Sequence, residues 1–417
     1  MIKKLMSLLF SGEFFFAMFL FVGYFKEVIG IQIDLAAVFL GLTLIVLIKR
    51  LLLDPTINKN YLLPIGLLCL FFIYFILGYY YSSTLINSQE KILKFITLTI
   101  PASVTPFLLF KTNRNIKRFT LSILLISLGS VVYVLPSTLD AFTGFVGYGE
   151  LGNYQGLARL TGAGLILLIF YAFVSAKTKT MKLIFVILIL AFSFVLLSTG
   201  SRMPLVASVV VTIYYFFTSF KISNGILYIK KEMKYIIGAI ILSMPALIFF
   251  GSKGFFDTII FRFEVLFRES GGGTSIQGRT ERFSESLSYL GNKPIFGNGT
   301  GSFGYMYTGR DINDYPHNLF LEILSENGLI GLIIFTIILG YAFYLFKNSI
   351  KNNLTFIWLL MSLFFGFNSM VSGDINSNRM LFTAISTLIT VSLLNRNRSH
   401  INIKLKSGNK LLREVKT

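Results

Sequence analysis

The stretch Lys182–Thr199, KLIFVILILAFSFVLLST, decides the fold, because its single charged residue stands at its first position. A helix rises ~1.5 Å per residue, so this stretch reaches ~27 Å, close to the ~30 Å hydrocarbon core of a bilayer. Apolar runs of similar length recur about every 30 residues along the chain, as expected for successive transmembrane helices. The sequence therefore predicts a polytopic membrane protein.

The composition also indicates a membrane protein. Of 417 residues, 54% are hydrophobic and only 14% are charged, and the mean hydropathy is +0.73. Soluble domains carry about 25% charged residues, so lipid is the expected surrounding of most of this surface. The single Cys69 excludes an intramolecular disulfide and reads as a small apolar residue within a helix.

The net charge of +19 does not indicate nucleic-acid binding. Cytoplasmic loops of membrane proteins retain Lys and Arg, and no compact basic domain is present to hold a polynucleotide. The bilayer is the expected partner, and nucleic acid is excluded.

Apolar length and flanking charge predict an all-α polytopic protein with about 12 transmembrane helices. The chain is interpreted as one integral membrane domain over 1–417, with a large extracytoplasmic loop at 252–316 and a basic cytoplasmic tail at 395–417. The expected spans are 6–25, 33–53, 61–81, 92–110, 116–135, 157–176, 182–199, 203–220, 234–251, 328–346, 354–372 and 377–394.

The distribution of basic residues predicts the orientation. With twelve spans, 25 of the 38 Lys and Arg residues fall on the side of the termini and the remaining 13 on the other. The positive-inside rule then places both termini in the cytoplasm. The outer side is rich in Arg, whose planar fork captures phosphate or carboxylate in two hydrogen bonds, so an anionic ligand is expected there. An alternative is that these arginines extend to lipid phosphates. The outer arginines are Arg159, Arg202, Arg262, Arg268, Arg279, Arg282, Arg310 and Arg379.

The loop 252–316 is too polar to cross the membrane and too long for a simple connection, which makes it a functional candidate. Its apolar residues predict two short amphipathic helices, over Phe255–Glu269 and Thr280–Leu290, separated by the flexible Gly271–Gly273. No Walker-type Lys follows these glycines, so they do not indicate a phosphate loop. Asp311, Asp314 and Glu150 are outer carboxylates that we consider for contacts with sugar hydroxyls.

His317 is the most informative single residue. It is one of two His residues, and it stands where the loop ends and a helix is predicted to begin. A neutral imidazole there can accept a proton from a hydroxyl, although a purely structural, interfacial His fits the position equally well. The outer face carries no second His, no Cys and no Asp-x-Asp pair, so neither a metal nor another cofactor is expected.

Three motifs resemble the O-antigen ligase and polymerase superfamily of bacterial envelope glycosyltransferases. The first is Ser198-Thr-Gly-Ser-Arg-Met-Pro204, similar to the family's Ser-Arg-Gly signature but with Met203 in place of Gly. The second is Gly278-Arg279 followed by the turn Pro294–Gly301. The third and most specific is Pro316–Gly331, PHNLFLEILSENGLIG, which matches the family's pattern after the long loop. The resemblance covers about 180–335.

This resemblance implies transfer of glycans from an undecaprenyl-diphosphate carrier at the outer face of the plasma membrane, with inversion and without metal or nucleotide sugar. By the family's pattern His317 is the base that activates the acceptor hydroxyl, and Arg202 and Arg279 hold the diphosphate and stabilise its developing charge. Substrate-binding roles are expected for four further residues: Arg282, Arg159, Asn318 and Asp374.

Three functions remain open at this point. The leading one is a polymerase of lipid-linked repeat units of O-antigen or capsule, and the second is a ligase that moves polymer to lipid A-core or another acceptor. The third is a flippase for the same precursors. Transporters carry ionisable residues within their spans, and the spans expected here are nearly free of charge, which favours an enzyme. A chain-length regulator and a flippase of the same pathway are expected partners of the enzyme.

Overall fold

A computed structural model describes residues 2–25, 33–56, 58–140, 153–218, 220–223, 226–229, 274–349 and 352–414, with isolated residues between 245 and 264. Five expectations lie outside these residues: the span 234–251 and the amphipathic helix 255–269, apart from a few positions in each, the break Gly271–Gly273, the arginines Arg262 and Arg268, and Glu150.

The described chain is helical almost throughout, which confirms the helical fold class. The helices α1 to α15 are, in order, Ile2–Leu9, Gly12–Phe21, Leu35–Leu53, Leu62–Leu77, Ile86–Lys94, Ile100–Leu109, Asn113–Asp140, Tyr154–Ser175, Lys179–Ser198, Arg202–Phe217, Thr274–Asn292, Phe303–Thr308, Leu319–Lys347, Asn353–Ser369 and Arg379–Glu414. A π-helical turn, Phe95–Thr99, joins α5 to α6.

One antiparallel hairpin departs from an all-α fold. Strands β1 (Phe220–Ser223) and β2 (Ile226–Ile229) pair with Phe220 opposite Ile229 and Ser223 opposite Ile226. The residues of β1 alternate apolar and polar, a pattern typical of strands, and in β2 the residues Ile226, Tyr228 and Ile229 have high β propensity.

The expected count of about twelve spans is not confirmed. Among the described residues, 7 helices are long and apolar enough to cross a membrane, and up to 8 if the bent pair Lys3–Leu9 and Gly12–Phe25 forms one span. Two further apolar helices, Arg202–Phe217 and Asn353–Ser369, are shorter than the ~20 residues that a crossing needs. In α15 the apolar part ends near Leu394, and the helix continues into the basic segment.

The contacts within the chain group into two compact units, each assembled from separate segments. Unit 1 comprises Met1–Val46, Arg118–Glu281 and Leu363–Ser372, and unit 2 comprises Leu47–Lys117, Arg282–Ser362 and Gly373–Thr417. The division into one domain, an outer loop and a tail stays a prediction.

The core of unit 1 lies where α7, α8 and α9 pack together. Val134, Leu157 and Phe192 are buried there, and α8 is buried along most of its length. Gly164 permits the close approach, because a Cβ at this position would lie 2.1 Å from the Ser127 hydroxyl oxygen. The Ser127 hydroxyl in turn donates to the Leu160 carbonyl at 2.8 Å, so its polar group is satisfied within the core.

The core of unit 2 is a cluster of phenylalanine rings that joins α4, α13 and α15 to the π-helical turn. Phe75 stacks on Phe95 at 4.2 Å between centroids, and Phe71 lies 5.7 Å from Phe335 and 6.2 Å from Phe382. All are nearly inaccessible to solvent. Phe320, in the first turn of α13, meets Phe335 edge-on at 5.5 Å between centroids, so this aromatic packing also supports the helix start that follows His317.

Candidate functional site

His317 adopts a backbone conformation that is rare for a residue with a side chain. Its φ is 59°, and it is the one non-glycine residue with positive φ in the part of the chain that the structure describes. His is among the residues that tolerate this region, and such conformations persist where the surroundings enforce them, often at functional sites. The imidazole is half-buried and meets the Tyr315 ring edge-on at 4.5 Å between centroids.

Asn318, the residue after His317, caps the start of α13. Asn318 is extended, and its side-chain oxygen accepts hydrogen bonds from the backbone N–H groups of Phe320 at 2.9 Å and Leu321 at 3.1 Å. This is an N-cap, which satisfies donors that a helix start leaves without intrahelical partners. His317 is therefore held between the ordered loop end and a capped helix.

Helix α13 is broken at Gly328, whose φ of 65° and ψ of −166° lie in a region essentially restricted to glycine. The break removes intrahelical hydrogen bonds from the carbonyls before it and the N–H groups after it. Buried backbone groups of this kind require other partners.

The turn Pro294–Gly301 supplies those partners. Asn298 and Gly299 donate their backbone N–H groups to the carbonyls of Ser325 and Glu326 at 3.0 and 2.8 Å. The carbonyls of Pro294 and Ile295 accept from Leu329 and Ile330 at 2.9 and 3.2 Å. The glycine-rich turn of the second motif and the helix of the third motif are thus interlocked: the turn Pro294–Gly301 supplies backbone partners at the break in α13.

A buried charge cluster lies in the first turns of α13. The ammonium of Lys91, from α5, contacts the Glu322 carboxylate at 2.6 Å and the Glu326 carboxylate at 2.7 Å. Their side chains are 5%, 1% and 0% exposed, so the three charges are removed from solvent together. Burial of this kind demands close pairing, because an isolated buried charge costs several kcal/mol.

The segment 373–378 packs against the same cluster. The backbone N–H of Ile375 donates to Glu322 at 3.2 Å, and the Asn376 side chain donates to the Lys91 carbonyl at 3.0 Å. Asp374 is buried, accepts from the Ser377 N–H at 2.9 Å and interacts electrostatically with Lys91. The structure thus brings Asp374, predicted to bind substrate, into the neighbourhood of the His317 helix.

Arg282 is engaged within its own unit. Its guanidinium lies 4.9 Å over the Tyr307 ring and pairs with the Asp314 carboxylate, with Nε to Oδ1 at 3.0 Å and Nη2 to Oδ2 at 2.9 Å. The pair ties α11 to the end of the long loop. Asp314, which the sequence suggested for contacts with sugar hydroxyls, is therefore paired with Arg282 in this structure.

Two neighbouring groups of the loop have structural partners. Asp311 accepts from the backbone N–H groups of Leu85, Ile86 and Asn87 at 3.2, 3.0 and 3.0 Å and so caps the beginning of α5. Burial raises the pKa of Tyr289 to about 12, so its hydroxyl stays protonated and donates to the Met306 carbonyl at 2.8 Å.

Unit 1 carries the other predicted arginines. Arg202 is the first residue of α10, directly after a turn in which Gly200 has φ 60°, and it is half-buried. Arg279, also half-buried, lies in α11, which begins at Thr274 and includes the predicted helix Thr280–Leu290. Arg159, 7% exposed, donates to the Ser372 carbonyl at 2.9 Å.

Sequence reasoning missed the Lys91 cluster and was wrong to describe the spans as nearly free of charge. Lys91 and Glu322 had been placed outside the spans 92–110 and 328–346, whereas the candidate spans Ile86–Leu109 and Leu319–Lys347 include them. The available signal was the i, i+4 spacing of Glu322 and Glu326 on an otherwise apolar helix, since such carboxylates need a buried partner.

Comparison with known families supports the motif assignment. Residues 184–336 match the family model described as O-antigen ligase, in agreement with the expected range of 180–335. The matched region contains Arg202, Arg279, the turn Pro294–Gly301, His317 and the part of α13 up to residue 336, which includes the break at Gly328. No curated protein matches the chain significantly.

Proposed function

We propose that this protein is a glycosyltransferase that polymerises undecaprenyl-diphosphate-linked repeat units of a surface polysaccharide, because residues 184–336 match the O-antigen ligase family model. The reaction takes place at the outer face of the bacterial plasma membrane, with both termini in the cytoplasm. The observation that carries the proposal is the conformation of His317, which lies at positive φ directly before the Asn318 cap of α13.

In this proposal His317 removes the proton from the acceptor hydroxyl as that oxygen attacks the anomeric carbon. The bond between this carbon and the diphosphate oxygen breaks, and attack from the opposite face inverts the centre. The donor carries its own leaving group, so the protein needs a base, positioning and stabilisation of the departing charge. No metal or other cofactor is required for these steps.

Arg202 and Arg279 are proposed to hold the diphosphate. Arg202 stands at the first position of α10, where the positive end of the helix dipole disfavours a cation for stability alone. The same dipole attracts an anion, so the guanidinium and the helix start act in the same direction on a phosphate group.

A ligase that transfers finished polymer to lipid A-core or another acceptor is the second candidate, because the family description itself names a ligase. A flippase is a third, and the buried charges of Lys91, Glu322 and Glu326 within candidate spans remove the earlier argument against it. These charges are paired with one another, which supports a positional role rather than ion transport. A chain-length regulator and a separate flippase remain proposed partners.

The glycan profile of a deletion strain tests the proposal. Single repeats attached to the acceptor are expected for a lost polymerase, whereas free lipid-linked polymer would identify a ligase. An unextended precursor retained on the inner leaflet would identify a flippase.

Complementation with His317→Ala is expected to leave the protein at normal level in the membrane and to abolish long polymer. Glu90→Gln, an exposed change outside the proposed site, is the control and should restore the full ladder. A normal ladder with His317→Ala would refute the catalytic assignment.

A further inference from the structure

Lys91 occupies an unusual place in unit 2. Its ammonium is shared between two carboxylates that belong to successive turns of one helix, Glu322 and Glu326, and all three side chains are at most 5% exposed. Both carboxylates can reach Lys91 at the same time because residues spaced i, i+4 project from the same face of the helix.

The same lysine also binds a second segment through its backbone. The Lys91 carbonyl accepts from the Asn376 side chain, whose oxygen in turn accepts from the Thr99 hydroxyl at 2.8 Å. Glu322 closes the arrangement by accepting from the Ile375 N–H. Three chain segments therefore meet at Lys91: α5 with its π-helical turn, the beginning of α13, and residues 373–378.

A buried ion pair contributes little net stability compared with a well-packed apolar replacement, but the close pairing that its buried charges require favours one geometry. In this protein the ion pairs of Lys91 with Glu322 and Glu326 fix the position of the segment from His317 to Gly328. The turn Pro294–Gly301 holds the far end of this segment, and Lys91 holds its middle.

We infer that Lys91 is a positioning residue for the transfer reaction: through Glu322 and Glu326 it sets the place of the helix that begins after His317. The inference rests on the proposed function of His317. Lys91 itself contacts neither the acceptor nor the donor in this scheme, and its effect reaches the reaction through the position of the imidazole.

The test compares the full-length protein reconstituted in liposomes with four variants: Lys91→Met, Lys91→Arg, the neutral triple Lys91→Met/Glu322→Gln/Glu326→Gln, and Lys94→Met. The last is the matched control, because Lys94 lies one turn away on α5 in an exposed pair with Glu90. The measurements are kcat and KM with a lipid-linked repeat unit, and hydrogen–deuterium exchange of the backbone over residues 317–324.

Misplacement of a catalytic group by about 1 Å costs on the order of 10²-fold in rate, so Lys91→Met and the triple variant should lose roughly that factor in kcat. Their KM should change little, and exchange over 317–324 should increase. Lys91→Arg, which can still bridge both carboxylates, should recover most of the rate. Lys94→Met should behave as the wild type.

Three results would overturn the inference: a triple variant with wild-type kcat, equal losses in the Lys91 and Lys94 variants, or loss of rate without altered exchange over 317–324. Failure of both Lys91→Met and the triple variant to accumulate, with normal Lys94→Met, would reduce the cluster to a folding element and also overturn it. If the wild type itself transfers nothing, the proposed function fails. The difference in hydrogen–deuterium exchange over 317–324 between Lys91→Met and Lys94→Met still decides whether Lys91 positions this segment.

Discussion

Gly297 and Gly328 face each other through their backbones with no room for a side chain on either. A Cβ on Gly297 would lie 2.4 Å from the Gly328 nitrogen, and a Cβ on Gly328 would lie 2.5 Å from the Gly297 nitrogen. Both residues have positive φ, of 76° and 65°. This contact locks the glycine-rich turn into the break of the His317 helix.

Replacement of either glycine by Ala is therefore expected to destabilise the protein. Each change combines a backbone clash with a disfavoured conformation, which costs about 1–3 kcal/mol for the conformation alone. A lowered thermal midpoint in detergent and loss of polymer are the expected readouts.

Gly340→Ala is the matched control for these two variants, because Gly340 lies in the same helix and a Cβ there would meet nothing within 4 Å. An unchanged midpoint for Gly328→Ala, equal to that of Gly340→Ala, would contradict the interlock.

Asn318 separates a capping role from a substrate-binding role. Asn318→Ala removes the acceptor of two backbone N–H groups and should cost about 1 kcal/mol, with reduced polymer. Asn318→Asp keeps the acceptor but lacks the amide donor, so it should retain both stability and activity if capping is the function. Normal stability with lost polymer in Asn318→Asp would instead establish that the amide binds substrate, as the family resemblance implies.

The pair of Arg282 and Asp314 should behave as one unit in a double-mutant cycle. Arg282→Lys loses the two-pronged geometry and Asp314→Asn loses the charge, so the double variant should be less impaired than the two single effects together. Coupling is measured on the thermal midpoint and on chain length. Arg310→Lys, an exposed change in the same loop, is the control. Additive effects, or an Asp314→Asn variant with normal chains, would favour direct binding of substrate by Arg282.

Polymer formation should depend on the guanidinium shape of Arg202 and not only on its positive charge. Loss of polymer is expected with Arg202→Ala, and a substantial reduction with Arg202→Lys, because an ammonium cannot reproduce two parallel hydrogen bonds to a phosphate. Polymer length and membrane level are measured together. Full activity of Arg202→Lys would indicate that a point charge suffices, and full activity of Arg202→Ala would remove the residue from the site.

The candidate site was predictable wherever its signal was local in sequence. His317, Asn318 and Arg202 stand at helix starts within recognisable motifs, and the structure places each of them at a helix start. The partner of Arg282 and the role of Asp311 were not predictable, because both contacts depend on how the long loop folds back on α11 and α5.

By itself, the sequence predicted the candidate membrane spans, the helical class, the resemblance of residues 184–336 to a family model, and the residues worth testing. These follow from apolar length and from motif spacing, which are properties of neighbouring residues. Only the tertiary structure decided that the glycine-rich turn completes the broken His317 helix and that Lys91 joins Glu322 and Glu326. The reason is physical: buried charges and interrupted backbones must be satisfied by groups distant in the chain, and apolar periodicity carries no information about which groups those are.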